Sequence, residues 1–168
     1  MLGNAVWNTG ASTTSSQIAS KWYTEERGTR NGKICTSGDW CNDTVERTTT
    51  WTGKVGLMYP SDYGYATSGG STTDRATCLN KELYNWDGSS VSDCKNNDWL
   101  YNSSSFQWTI SPSAYSSHAY DVFDVCSDGY VYLSHASRNF GVRPVGYLLS
   151  NTSIQSGDGS SGNPFILS

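Results

Sequence analysis

Residues 106–149, FQWTISPSAYSSHAYDVFDVCSDGYVYLSHASRNFGVRPVGYLL, decide the fold class. Phe106–Ile110, Tyr120–Cys126, Gly129–Leu133 and Val142–Leu149 are short runs of aromatic and β-branched residues, parted by Ser, Gly and Asp. That pattern predicts strands joined by turns. Upstream the pattern is different. In Ser16–Arg27, Ile18, Ala19, Trp22 and Tyr23 recur at helical spacing, with Ser before them and Gly28 after, which predicts a helix. Asp74–Tyr84 places Ala76, Leu79 and Leu83 on one face and predicts a second helix. Lys54–Tyr59, stopped by Pro60, reads as a short buried strand. Residues 28–50, Ser61–Thr73 and Asn85–Asn97 read as loops, and 1–14 as a polar lead-in. Helices early and strands late predict an α+β domain, with two helices packed on small antiparallel sheets and much loop. No internal repeat or linker divides residues 1–168, so one domain is expected.

The chain has 168 residues, enough for one core. Charged residues make up only 15%, aromatic residues 13%, and 7 Trp and 11 Tyr are present, so the core is expected to be built from rings. A net charge of −4 carries no electrostatic footprint for nucleic acid or anionic membrane. No apolar run approaches the roughly 20 residues of a membrane span. Any export segment is expected upstream of Met1.

Five cysteines stand at 35, 41, 78, 94 and 126, and none forms a C-x-x-C pair. Cys35 and Cys41 flank one short polar loop. Cys78 and Cys94 flank a helix-like piece and a Gly-Ser turn. Pairing them this way staples two loops, as suits an exported Ser/Thr/Gly-rich chain, and leaves Cys126 free. The alternative is five reduced thiols in a cytosolic protein.

Chemistry is sparse. His118 and His135 are the only histidines, and no Gly-x-Ser-x-Gly elbow frames a nucleophile. Asp121, Asp124 and Asp128 lack the intervals and the final Glu of a calcium loop, and Cys and His show no zinc spacing. No catalytic residue, metal or cofactor is expected. Asn42, Asn102 and Asn151 open glycosylation-type triplets that an Asn/Ser/Thr-rich chain produces by chance. Trp51, Trp86, Trp99 and Trp108 could stack on sugars, but large rings in a Leu-poor chain are expected in the core.

Ser113–Ser137, SAYSSHAYDVFDVCSDGYVYLSHAS, stands apart. It holds both histidines, four tyrosines and six serines, and no Lys, Glu, Gln, Trp or Met. Exposed strand faces normally carry some Lys, Glu or Gln. Tyr and Ser are what adaptable binding surfaces use, although a Ser/Tyr-rich strand pair in a Ser/Tyr-rich chain accounts for the same composition.

Trp51–Ala66 with Asn97-Asp-Trp-Leu100, and Trp108-Thr-Ile-Ser-Pro112 with Gly129-Tyr-Val131, Gly141-Val-Arg-Pro-Val145, Gly157-Asp-Gly159 and Asn163-Pro-Phe165, resemble a family of extracellular domains from Gram-positive gut bacteria. Some members sit behind a type IV pilin-like membrane helix. The Trp-x-x-Ser-Pro … Gly-Val-Arg-Pro order also resembles the end of the C-type-lectin-like fold. That fold occurs in formylglycine-generating enzymes and in variable proteins of diversity-generating retroelements. The resemblance spans roughly residues 51–167. In the retroelement relatives, AAC-type codons are randomised upstream of a Gly-x-Arg motif, here Gly141-Val-Arg143. Such codons cannot yield the five residue types missing from 113–137, and they account for an unpaired Cys126. The enzyme relatives use paired late cysteines, whereas only Cys126 lies late here, and lectin calcium motifs are absent.

The resemblance implies a C-type-lectin-like ligand-recognition module, an adhesin or receptor-type variable protein at the cell surface, and not an enzyme. Its binding face is expected to be Tyr115, Ser117, His118, Tyr120, Asp121, Asp124, Tyr132, His135, Ser137 and Asn139, all pointing to solvent. Val122, Val125, Val131 and Val142 are expected beneath it, with Phe123, Cys126 and Leu133 assignable to either set. The expected partner is a protein or glycan on another cell, phage or host surface, with a pilus or membrane-anchored parent chain. The alternatives are a structural, pilin-like subunit and an enzyme on a formylglycine-generating scaffold.

Overall fold

A computed structural model describes residues 2–9, 16–27, 32–34, 45–47, 50–113, 116–160 and 162–168. In chain order its elements are β1 (Ala5–Asn8), α1 (Ala19–Arg27), β2 (Gly32–Ile34), β3 (Val45–Arg47), β4 (Thr50–Gly53), β5 (Val55–Leu57), α2 (Pro60–Ala66), α3 (Arg75–Leu79) and α4 (Ser92–Asn96). There follow β6 (Gln107–Pro112), β7 (Asp121–Val125), β8 (Val131–His135), β9 (Gly141–Val142), β10 (Pro144–Gly146), β11 (Ile154–Ser156) and β12 (Ile166–Leu167). The architecture is α+β with small sheets. The main sheet has the order β8-β7-β6-β9, and β1–β4, β2–β3, β5–β10 and β11–β12 are separate antiparallel pairs.

The main sheet is not wholly antiparallel. β6 pairs with β9 in parallel, Gln107 facing Gly141 and Trp108 facing Val142. After β8 the chain crosses to the far edge, where Gly141 N donates to Phe106 O at 2.9 Å and sets that register.

The core is built from rings. Trp22, Tyr63, Trp86 and Phe123 are fully buried. Trp22 meets Phe123 edge-on at 4.8 Å, and Tyr63 packs on Trp86 at 5.3 Å. Helices α1 and α2 approach closely because Gly64 has no side chain. A Cβ there would lie 2.7 Å from that of Ala19 and 2.9 Å from Leu83.

Several expectations need correction. Residues 5–8 are no lead-in: Trp7 is fully buried, its Nε1 donates to Gly53 O at 3.1 Å, and its ring packs on Tyr59 and Tyr147. Burial of one indole fixes a strand that its polar neighbours conceal. Residues 60–66 form a helix, not a loop. Pro60 is its first residue rather than a strand stop, and Asp62 Oδ2 accepts the Tyr59 N–H at 2.8 Å. Helix α3 ends at Leu79, and the apolar spacing continues only as a 3-10 turn over Leu83–Asn85. Asn85–Asn97 holds a 3-10 turn and α4. Trp99, 74% exposed, and Trp51, half exposed, are outside the core, whereas Trp86 is inside it.

Cys78 and Cys94 form a disulfide that joins α3 to α4, and Cys126 is a free, buried thiol. Cys35 and Cys41 lie outside the described residues. Beside the disulfide, Thr67 Oγ1 donates to Cys94 O at 2.6 Å, so the end of α2 is tied to the same point. The bridge closes a 16-residue separation, for which chain-entropy reasoning gives about 3 kcal/mol. Changing both Cys78 and Cys94 to Ser is therefore expected to lower the unfolding free energy by about 2–4 kcal/mol in urea titration. No change would show that the bridge contributes nothing.

Candidate functional site

The hairpin β7–β8 carries most of the singled-out residues, and its turn is held from below. Cys126 N donates to Tyr130 O at 2.8 Å, and Gly129 adopts a φ of +92° that favours glycine. Three consecutive turn carbonyls are then taken up by the helical half. Tyr101 Oη donates to Ser127 O at 2.7 Å, Lys95 Nζ to Asp128 O, and Tyr63 Oη to Gly129 O at 2.7 Å.

At the opposite end the hairpin is exposed. The His118 ring lies 5.7 Å from Tyr120, and Tyr120 lies 4.3 Å from His135. Ser117, His118, Tyr120, His135, Ser137 and Asn139 are all exposed, as expected, and Tyr120 is 49% exposed. Asp121 is corrected: it is buried beneath this rim, with Oδ2 3.0 Å from His118 Nδ1. It orients the imidazole rather than facing solvent, and its Oδ1 has no hydrogen-bond partner.

Strand alternation divides the remaining residues. Phe123, Val125 and Val131 point into the core, joined by the partly buried Leu133. Asp124 and Tyr132, directly paired, lie on the other face of the sheet with Trp108, itself paired with Asp124. The row across the sheet is therefore Tyr132–Asp124–Trp108–Val142. Tyr132 is 41% exposed and Trp108 half-buried. Two expectations fail in this row. Asp124 is fully buried instead of solvent-facing: it stands between Tyr132 and Trp108 on the two neighbouring strands, with the Cys126 thiol 3.5 Å from its Oδ2. Val142 is 62% exposed instead of buried, because it stands on the outer face of edge strand β9. Val122 is half-buried, Val125 and Val131 are buried, and Cys126 is buried. Tyr115 lies outside the described residues.

Sequence reasoning missed the aromatic lining of this outer face. Tyr84, Tyr130 and Tyr132 form a ring cluster with centroids 5.6–6.0 Å apart. On the other side Phe140 stacks on Phe106 at 4.8 Å and packs at a tilt on Trp108 at 4.6 Å. Alternation in the sequence points the wrong way here, because the polar Gln107 and Thr109 are buried and Trp108 between them lies on the outer face.

Two buried carboxyls are electrostatically unusual. Burial pushes Asp98 up to about 7, against hydrogen bonds from the Leu100 and Tyr101 backbone and the nearby Arg143 charge. Burial likewise pushes Asp124 up to about 6, opposed by the Ser134 and Cys126 side chains. The Cys126 thiol, 3.5 Å from Asp124 Oδ2, is raised by burial and by that carboxylate, which makes it a poor nucleophile. Arg143, from the Gly-Val-Arg-Pro stretch, has a positioning role: Nε donates to Gln107 Oε1 at 3.1 Å and an Nη to Leu100 O at 3.3 Å. It locks β9 against β6 and the 98–101 loop.

Among the described residues no group of three or more His, Cys, Asp and Glu is placed to hold a metal ion. No helix among them is long and apolar enough to cross a membrane. No family model, curated protein or solved structure matches this chain.

The raised carboxyls fix the direction of a pH effect. From about pH 4 upward, to about 7 for Asp98 and about 6 for Asp124, the native carboxyls hold protons that the unfolded chain has released. Their stabilising contribution is thus complete below about pH 4 and lost as pH rises through 6 to 7. Asp74, Asp93 and Asp158, whose carboxyls are lowered by hydrogen bonds, act below that window. The melting temperature is expected to be several degrees higher at pH 5.5 than at pH 7.5. The Asp98→Asn, Asp124→Asn double variant should flatten that slope in differential scanning calorimetry. A melting temperature that rises with pH over this range contradicts the assignment.

Proposed function

We propose that this chain is an extracellular ligand-recognition module, an adhesin or receptor-type variable protein on a C-type-lectin-like scaffold. One observation carries the reading. The β7–β8 hairpin is fixed at its turn by Tyr63, Lys95 and Tyr101, while its far end displays a continuous rim of exposed rings and hydroxyls. Rigid aromatic rings give contact area at low entropic cost, and small hydroxyls give adaptable hydrogen bonds. An anchored hairpin holding them matches the preorganisation that tight binding needs. The Cys78–Cys94 disulfide suits an oxidising compartment. In the diversified form of this reading, the chain tolerates replacement along 113–140 because the exposed positions carry none of the core. A reverse-transcriptase gene and an imperfect template repeat are then expected beside its gene.

The structural-subunit reading keeps one specific support. Ile154, Phe165, Ile166 and Leu167 on and beside the β11–β12 hairpin are 40–59% exposed, more apolar surface than an isolated receptor domain requires.

The test is binding by the labelled domain to a glycan array and to a panel of purified bacterial, phage and host surface proteins. A target bound by the wild type is expected to be lost when Tyr120, Tyr132 and His135 are changed together to Ala. The melting temperature should stay within a few degrees, because exposed substitutions each cost about 0.5 kcal/mol or less. Retained binding, or a variant that fails to fold, overturns the reading.

A further inference from the structure

We propose that Asp124 is the acceptor for a guanidinium or ammonium group of a protein ligand seated on the outer sheet face between Tyr132 and Trp108. This rests on the reading of the domain as a recognition module and names the chemistry its partner must carry.

The geometry begins with the row across the sheet. Asp124 sits at its centre, flanked on the same face by Tyr132 of edge strand β8 and Trp108 of β6. Its side chain is fully buried, and Oδ1 has no hydrogen-bond partner. A buried polar atom without a partner is costly, and for a carboxylate the cost is larger still. Burial raises this carboxyl to about 6, and a cation arriving beside it would favour its charged form. Oδ2 has a 3.5 Å contact from the Cys126 thiol, and the Ser134 side chain also hydrogen-bonds the carboxyl. Arg143 donates to Gln107 and Leu100 and Lys95 to Asp128 O, and neither is bonded to Asp124.

The surroundings favour a cation from outside. Within 113–137 the acidic side chains are Asp121, Asp124 and Asp128, and there is no Lys or Arg. Tyr84, Tyr130 and Tyr132 line one side of the row, and Phe106, Phe140 and Trp108 the other. Aromatic faces attract cations, and a carboxylate enclosed by them is a stronger partner than either alone. Neutral sugar hydroxyls would satisfy the hydrogen bond but leave the charge uncompensated, so the face favours a basic side chain over a glycan. Entry requires movement of the Tyr132 ring, which is 41% exposed on an edge strand. Rotamer changes of that kind are common when interfaces form.

The test titrates N-acetylarginine amide and its uncharged analogue, N-acetylcitrulline amide, into the nitrogen-15-labelled domain, following the Trp108 indole N–H by NMR. Arginine is expected to give a saturable shift in the millimolar range, with citrulline at least about tenfold weaker. Asp124→Asn should weaken arginine binding by a similar factor without lowering the melting temperature. The citrulline comparison needs no variant, so it decides the matter even where the substitution unfolds the chain. Equal binding of the two probes, no saturable shift, or full binding by a folded Asp124→Asn overturns the anchor. None of these outcomes touches the recognition reading, which is judged by Tyr120, Tyr132 and His135.

Discussion

Three neighbouring carbonyls, of Ser127, Asp128 and Gly129, are each taken by a donor from the helical half of the molecule. The arrangement of the main sheet depends on this clamp. The Gly129 and Ser127 carbonyls lie in buried or part-buried surroundings, where leaving them bare would be costly, while that of Asp128 is at the surface. Tyr63, Lys95 and Tyr101 meet that need and in doing so fix where the hairpin stands. Tyr63 belongs to the ring core with Trp86, and Lys95 follows directly on Cys94 of the disulfide. Core, disulfide and sheet therefore share one junction. The far end of the hairpin, where His118, Tyr120 and His135 gather, lies away from that junction.

Strand alternation then separates what the sequence places side by side. Phe123 and Asp124 are neighbours in the chain, yet one packs on Trp22 in the core and the other lies beneath an aromatic outer face. The rim and the outer face are two surfaces of one sheet, joined through β7. A ligand wide enough to cover both would meet hydroxyls and imidazoles at one end and rings around a buried carboxylate at the other.

Much of this was legible from residue order alone. The late strands, the first helix and the Cys78–Cys94 bridge follow from period, spacing and loop proximity. Helix α2 was hidden because Pro-Ser-Asp-Tyr-Gly-Tyr-Ala has no apolar periodicity; its signals were Pro at the first position and Asp at the third. Strand β1 was hidden because its one decisive residue, Trp7, is set among polar ones. Asp121 and Asp124 were expected at the surface because aspartate normally is. What reverses that, a histidine above one and rings around the other, depends on pairing between strands, which one-dimensional reading does not supply. Val142 was misplaced for the converse reason: its apolar character says nothing about standing on a two-residue edge strand.

The account's central claim is a division between a fixed scaffold and a replaceable face, and combinatorial replacement tests it most directly. One displayed library would randomise Ser117, His118, Tyr120, Tyr132, His135, Ser137 and Asn139 together, and a second would randomise Phe123, Val125 and Val131. Resistance to protease would be read by sequencing before and after digestion. The account predicts that most members of the first library stay folded, while the second collapses to the parental residues and close apolar substitutes. Equal collapse of both libraries would contradict the division, and with it the reading of this sheet end as a recognition surface.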